Sequence, residues 1–185
     1  MKSVKSSLKE KIAFLKLKSG DSDAFVFFYD KYLDRIYRFV LIKVSDKQIA
    51  EDLTQEIFLK TWQHLVDKKE IKSFQAFIFR IAYNSVADHY RQNNNQELPL
   101  EYVEEKEDTV GQDQATSLDK KIDSKVLLEK IKQLNPEYQE VLLLRYLEEL
   151  SIEEIADILQ KEKNNVSVTI HRALSKLKGL IDQKN

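Results

Sequence analysis

Apolar side chains return every three or four positions in one stretch after another of this 185-residue chain, which is the period of amphipathic helices. Phe25, Phe28, Tyr29, Tyr32, Ile36, Phe39 and Val40 mark a helix running from Gly20-Asp-Ser-Asp23 to about Lys43, with Ser22 or Asp23 as its cap. Ile49, Leu53, Ile57, Thr61 and Leu65 advance in steps of four through a second helix, from about Asp46 to Leu65. Its opposite face carries the polar cluster Glu51, Asp52, Gln55 and Glu56. After a basic loop ending at Ser73, a third helix spans Phe74 to about Arg91. Phe74, Phe77, Ile78, Ile81, Ala82, Ser85 and Val86 point inward there, and Arg80, Tyr83, Asn84, His89, Tyr90 and Arg91 outward.

The pattern then stops. Gln92-Asn-Asn-Asn-Gln96 ends the helix, and Glu97 to about Ser117 contains acids, Pro99 and Gly111 without a sustained apolar period, so it reads as a flexible linker. Helical spacing resumes from about Leu118 to Leu134 with Ile122, Val126, Leu127 and Ile131. Asn135 before Pro136 marks a fresh start, Asn as cap and Pro at the first position, and Val141 to Leu147 is apolar enough to be the buried centre of its domain. Ser151-Ile-Glu-Glu154 has the form of a capping box and opens a helix with Ile152, Ile155, Ala156 and Leu159 on one face. A polar break at 160–164 separates it from a last helix carrying Val166, Ile170, Leu174, Leu177 and Ile181.

Composition sharpens this into an all-α fold of two small helical domains, 18–95 and 118–185, joined by a flexible acidic linker over 96–117. Three glycines and two prolines are too few for a turn-rich sheet protein. Absent cysteine excludes disulfides and fits a reducing cytoplasm, and no apolar run reaches the length of a membrane span or a signal sequence. The three histidines are scattered, without spacing for a metal or a nucleophile system, so no cofactor, metal, small-molecule substrate or catalysis is expected.

Charge separates the parts. Residues 1–95 carry 17 Lys and Arg against 12 Asp and Glu, residues 96–124 carry 3 against 9, and residues 125–185 carry 10 of each. Within the last block, Glu153, Glu154 and Asp157 lie on the first of two short helices. The second has Lys163, Arg172, Lys176 and Lys178 with no acid before Asp182. An acidic support helix followed by a basic one suits a C-terminal helix-turn-helix, in which only the second lies against phosphates. Basic groups interleaved with rings on the third helix suit a single-strand surface, stacking for bases and cations for backbone, although an ordinary amphipathic helix has the same pattern. A conventional helix-turn-helix regulator with a sensing or dimerising N-terminal block, and a helical adaptor that binds only proteins, are the alternatives these features leave open.

Four stretches in order resemble bacterial sigma factors of the extracytoplasmic-function class: the opening Gly20 to Phe25, Ala50 to Trp62, Phe74 to Arg91, and Leu134 to Tyr146 followed by the helix-turn-helix. The resemblance implies a dissociable subunit, monomeric when free, that binds core RNA polymerase, directs it to promoter DNA and helps to melt it. It implies that Asp52, Gln55 and Glu56 face the clamp helices of the largest polymerase subunit. The loop Gln63 to Ser73, including Lys72 and Ser73, would capture a flipped base of the minus-ten element, with Arg80, Tyr83, Asn84, Asp88 and Arg91 along the melted strand. Ser167, Thr169, His171, Arg172 and Lys176 would meet the minus-thirty-five element. Regulation by an anti-sigma factor, which could also hold a cytoplasmic protein at the membrane, belongs to the same resemblance. Phe77 stands where the family usually has Trp and Tyr83 where Arg is common, both keeping a ring. Gln160-Lys161-Glu162 replaces the usual Gly, apolar, Ser turn.

Overall fold

A computed structural model describes residues 2–19, 21–67, 71–93 and 124–182, and among them eight α-helices and one π-helical turn carry the fold, with no strand. The expected connector 96–117 lies outside the described residues.

In the N-terminal half, α2 (Asp23–Val44), α3 (Lys47–Val66) and α4 (Phe74–Asn93) pack on one another. Their limits follow from local chemistry. Ser22 occupies the N-cap position of α2 but makes no side-chain cap hydrogen bond; Asp23 N–H, in the first turn, donates instead to Asp21 Oδ1 at 3.0 Å. Ser45, left-handed at φ 57°, closes α2 by donating its N–H to Leu41 O. Asp46 Oδ1 then accepts from Ile49 N at 2.9 Å and starts α3. Phe28, Tyr32, Ile36, Phe39 and Val40 of α2 are fully buried, as are Ala50 and Ile57 of α3 and Ile78, Phe79 and Ala82 of α4. Phe28 stacks on Phe74 with centroids 4.1 Å apart, and Phe39 meets Phe79 edge-on at 5.5 Å. Each of the buried Phe, Ile and Val side chains contributes about 1.5–3 kcal/mol by leaving water.

The pattern reading does not predict α1 (Lys2–Lys18). This helix buries Ala13 and Leu17 against α2, Phe14 meets Phe28 edge-on, and Glu10 accepts from the buried Tyr32 hydroxyl at 2.9 Å while pairing with Lys31. Burial beside the Glu10 carboxylate pushes the Tyr32 phenol well above its ordinary range.

In the C-terminal half, α5 (Ser124–Ile131), α6 (Pro136–Leu142) and α7 (Ile152–Leu159) pack on the long α8 (Lys163–Asp182). The expected start at Leu118 lies outside the described residues. Asn135 Oδ1 accepts from Tyr138 N at 2.8 Å with Pro136 in the first turn. The helix α6 runs on as a π turn, Leu143–Leu147, in which Glu148 N–H reaches back five residues to Leu143 O at 3.0 Å. Val141, Leu142, Leu143 and Leu144 are the expected buried centre, but Tyr146 turns outward and is 52% exposed.

The two halves touch. Helix α4 packs against α7, Lys43 pairs with Glu140 at 2.7 Å, and Arg35 pairs with Glu148 at 2.7 Å. Their buried apolar side chains form one continuous core.

Candidate nucleic-acid and polymerase surfaces

Burying Leu53, Thr54, Ile57 and Phe58 on one side of α3 leaves Asp52, Gln55 and Glu56 exposed on the other. Asp52 accepts a long bond from Gln48 at 3.3 Å, and Glu56 pairs with Lys60 at 2.6 Å. These are solvated contacts worth little, so the stripe is available to a basic or amide-rich partner.

On α4, Arg80, Asn84, Asp88 and Arg91 follow one another at three- and four-residue steps and so share a stripe flanked by Tyr83. Asn84 and Arg91 are exposed and the others half-buried. The Arg80 guanidinium sits 5.7 Å over the Phe77 ring, and Arg91 pairs with Asp88 at 2.9 Å, so its charge is offset in part. Lys72 is exposed, whereas Ser73 Oγ accepts from Ala76 N at 3.3 Å and thereby caps α4.

Phe77 takes the inward place that its spacing predicts, so the ring at the family's usual Trp position is not open, whereas Tyr90 departs from its expected outward face. Phe77 is only 5% exposed, with its centroid 4.4 Å from that of His64, so it offers no free ring to a base in this conformation. Tyr90 is not simply outward: its hydroxyl donates to Lys43 O at 2.7 Å and ties α4 to the end of α2, and burial raises the phenol above its ordinary value.

The helix-turn-helix is set by three local devices. Ser151 Oγ accepts from Glu154 N at 3.2 Å while Glu154 Oε2 accepts from Ser151 N and Ser151 Oγ, both at 3.0 Å. Gln160 takes the left-handed conformation, φ 54° and ψ 44°, that ends α7 and that glycine adopts without strain. Lys161 pairs with Glu137 and Lys163 with Glu153, pinning the turn to α6 and α7. The exposed Glu153 carboxyl is held below its ordinary value by its own backbone N–H and then by Lys163.

These devices hold α8 with Val166, Thr169, Ile170, Ala173 and Leu177 inward. Thr169 is therefore not brought to the open face: it is 7% exposed and its hydroxyl donates to Asn165 Oδ1 at 3.2 Å. Ser167, His171 and Lys176 are exposed and Arg172 half-exposed. Asn164, Asn165 and Val168 join them on the open side. Sequence reasoning missed these three, although their place in the first turns of the second helix is where base edges are met.

Known proteins carry the same two-part arrangement. The profile of Sigma-70 region 2 matches residues 28–96, and that of Sigma-70, region 4 matches residues 124–177. The ECF RNA polymerase sigma factor BldN of Streptomyces coelicolor is 32% identical over 166 residues, spanning 88% of this chain but 62% of BldN. The ECF RNA polymerase sigma factor SigM of Bacillus subtilis is 30% identical over 161 residues, spanning 84% of this chain and 93% of SigM. The sigma factor RpoE of Bartonella quintana, solved in complex with the anti-sigma factor NepR, shares the fold with a TM-score of 0.65 at 20% identity, over 87% of this chain and 98% of that one. Regions 2 and 4 stand in order on one chain, and its relatives align across most of it, so this protein belongs to the extracytoplasmic-function class of the sigma-70 family of RNA polymerase sigma factors.

Proposed function

We propose that this sigma factor binds core RNA polymerase through the α3 stripe of Asp52, Gln55 and Glu56 and directs it to promoters through two separate DNA surfaces. Residues 18–95, with α1 packed on them, form the unit that meets the minus-ten element, residues 96–117 tether it, and residues 118–185 meet the minus-thirty-five element. Asn84, Arg80 and Arg91 lie along the melted strand, where the cost of unstacking a base, a few kcal/mol, is offset by cations and stacking. Asn164, Asn165, Ser167 and His171 enter the major groove first, and Arg172 and Lys176 follow the backbone; amides pair with adenine edges and cations with phosphates. The protein itself performs no covalent chemistry and acts in the cytoplasm; among its described residues no helix is long and apolar enough to cross a membrane. An anti-sigma partner would act by covering the α3 stripe and the open face of α8.

The observation that carries this reading is the pair of open faces, acidic on α3 and amide-rich and basic on α8, held on two matched sigma-70 regions. Run-off transcription with core polymerase on fragmented genomic DNA tests it. Discrete new starts that appear only with the protein are expected, and Asn165→Ala should reduce them. A protein that shifts a duplex by itself and yields no new starts would overturn it in favour of a conventional regulator.

A further inference from the structure

Glu148 is a carboxylate with no exposed surface, and it belongs to the C-terminal half while its partners belong to the N-terminal half. Arg35 of α2 donates from Nε to Glu148 Oε2 at 2.7 Å and from Nη2 to Glu148 O at 3.1 Å, and Gln75 of α4 donates to the same carbonyl. The guanidinium is held in place by the Tyr32 ring, 4.9 Å away, and the Phe79 ring, 5.8 Å away. A second pair, Lys43 with Glu140, and the packing of α4 against α7 complete the contact.

The π turn explains how Glu148 reaches Arg35. Its extra residue carries the chain past the last α-helical turn, Glu149 at φ 55° reverses it, and Arg145 Nη1 donates to Leu150 O at 2.7 Å to hold the loop. Glu148 is thereby presented at the tip of the junction.

We propose that this junction is an autoinhibitory clasp, in which Arg35 and Gln75 hold Glu148 and keep the two promoter-reading halves docked until polymerase and DNA separate them. The proposal rests on the two-surface reading above. Elements named minus ten and minus thirty-five lie about 25 base pairs apart, roughly 85 Å along B-form DNA at about 3.4 Å per base pair. Packed helices such as α4 and α7 lie only about 8–10 Å apart. Docked halves therefore cannot occupy both elements at once. The clasp is also built to release: Glu148 Oε1 is buried without a hydrogen-bond partner, so the pair carries an uncompensated desolvation cost that opening relieves.

The test uses the full chain, which has no native cysteine, with spin labels on Leu59→Cys in α3 and Ser175→Cys in α8, both exposed. Double electron–electron resonance on the free protein should give one narrow, short distance. Arg35→Ala and Glu148→Ala should each replace it with a broad, longer distribution, with helicity unchanged by circular dichroism. Arg35 lies outside the helix-turn-helix, so its variant separates undocking from damage to that unit. At a promoter found by run-off transcription, the unlabelled Arg35→Ala protein should reach half-maximal output at a concentration about tenfold lower, because the competent open population is larger. A broad wild-type distribution, or variants that open without any gain in transcription, would overturn the clasp. Distances that respond as expected in a protein that starts no transcripts would support the docking and overturn the promoter reading instead.

Discussion

Replacing Ser151 by Ala removes a side chain that takes part in two of the three hydrogen bonds at the entrance to α7. The Glu154 N–H loses its acceptor at 3.2 Å, and the Glu154 carboxylate loses a hydroxyl donor at 3.0 Å. The remaining bond, from Ser151 N to Glu154 Oε2, survives only if the carboxylate keeps its position. An N-cap change of this kind costs about 0.5–2 kcal/mol, and the reciprocal box puts this one near or above the middle, about 1–1.5 kcal/mol. With eight residues, α7 is too short to hold itself, so the cost falls on the packing that orients α8. The loss is measurable by thermal melting followed by circular dichroism. If the C-terminal half melts by itself, about 1 kcal/mol lowers its midpoint by about 4–8 °C; if both halves melt together, by about 2–4 °C. Glu154→Ala should cost a similar amount, and the double variant less than the sum by about 0.5 kcal/mol or more, because both remove one reciprocal unit. Strictly additive losses, or a Ser151→Ala midpoint equal to the wild type, would refute the reasoning.

Gln160→Gly should stabilise the protein by about 0.5–1 kcal/mol, since it relieves a left-handed side chain at φ 54° against the added freedom of the unfolded chain; denaturant melting reads this as a higher midpoint with unchanged slope. The docked state should weaken as pH rises. Burial raises the Glu148 carboxyl above its ordinary value despite the opposing Arg35 and Arg38, with Glu149 adding to the rise, so docking retains a proton. Its contribution is full below the ordinary carboxylate range of about 4 and is lost as pH passes the docked value, which electron-resonance distances taken across that range would register. Glu148→Gln, whose amide oxygen still accepts from Arg35, should stay docked and lose that dependence. Lys176→Ala should weaken promoter binding across sequences and flatten the log–log salt slope by about 1, measured by titration at several salt concentrations.

Capping chemistry was the most legible part of the chain. Asn135 with Pro136, and Ser151 with Glu154, act as their spacing implies, because each effect is complete within four residues. The helix α1 escaped because its apolar residues do not form one buried stripe: Leu8, Ile12 and Leu15 stay exposed while the small Ala13 and Leu17 are buried. Thr169 fails as a reader for a related reason, since a short β-branched side chain serves equally well on the inner and outer faces of a helix. Tyr90 was misplaced because ring exposure depends on neighbours, here the Lys43 carbonyl, that spacing on α4 cannot show. Least legible was Glu148, whose partner Arg35 lies 113 residues away.

The π turn at Leu143–Leu147 holds one residue more than an α-helical ladder accommodates. Deleting a residue there would let α6 continue as a plain helix and turn everything beyond it by about 100° about the helix axis, with a rise of about 1.5 Å. The helix-turn-helix would survive as a unit but face another way, and Glu148 would swing off the guanidinium. The aim of the whole helix-turn-helix is thus counted out by the length of a five-residue segment that lies outside it. In lineages of such chains, single-residue insertions and deletions at this point would steer the module where substitutions could not.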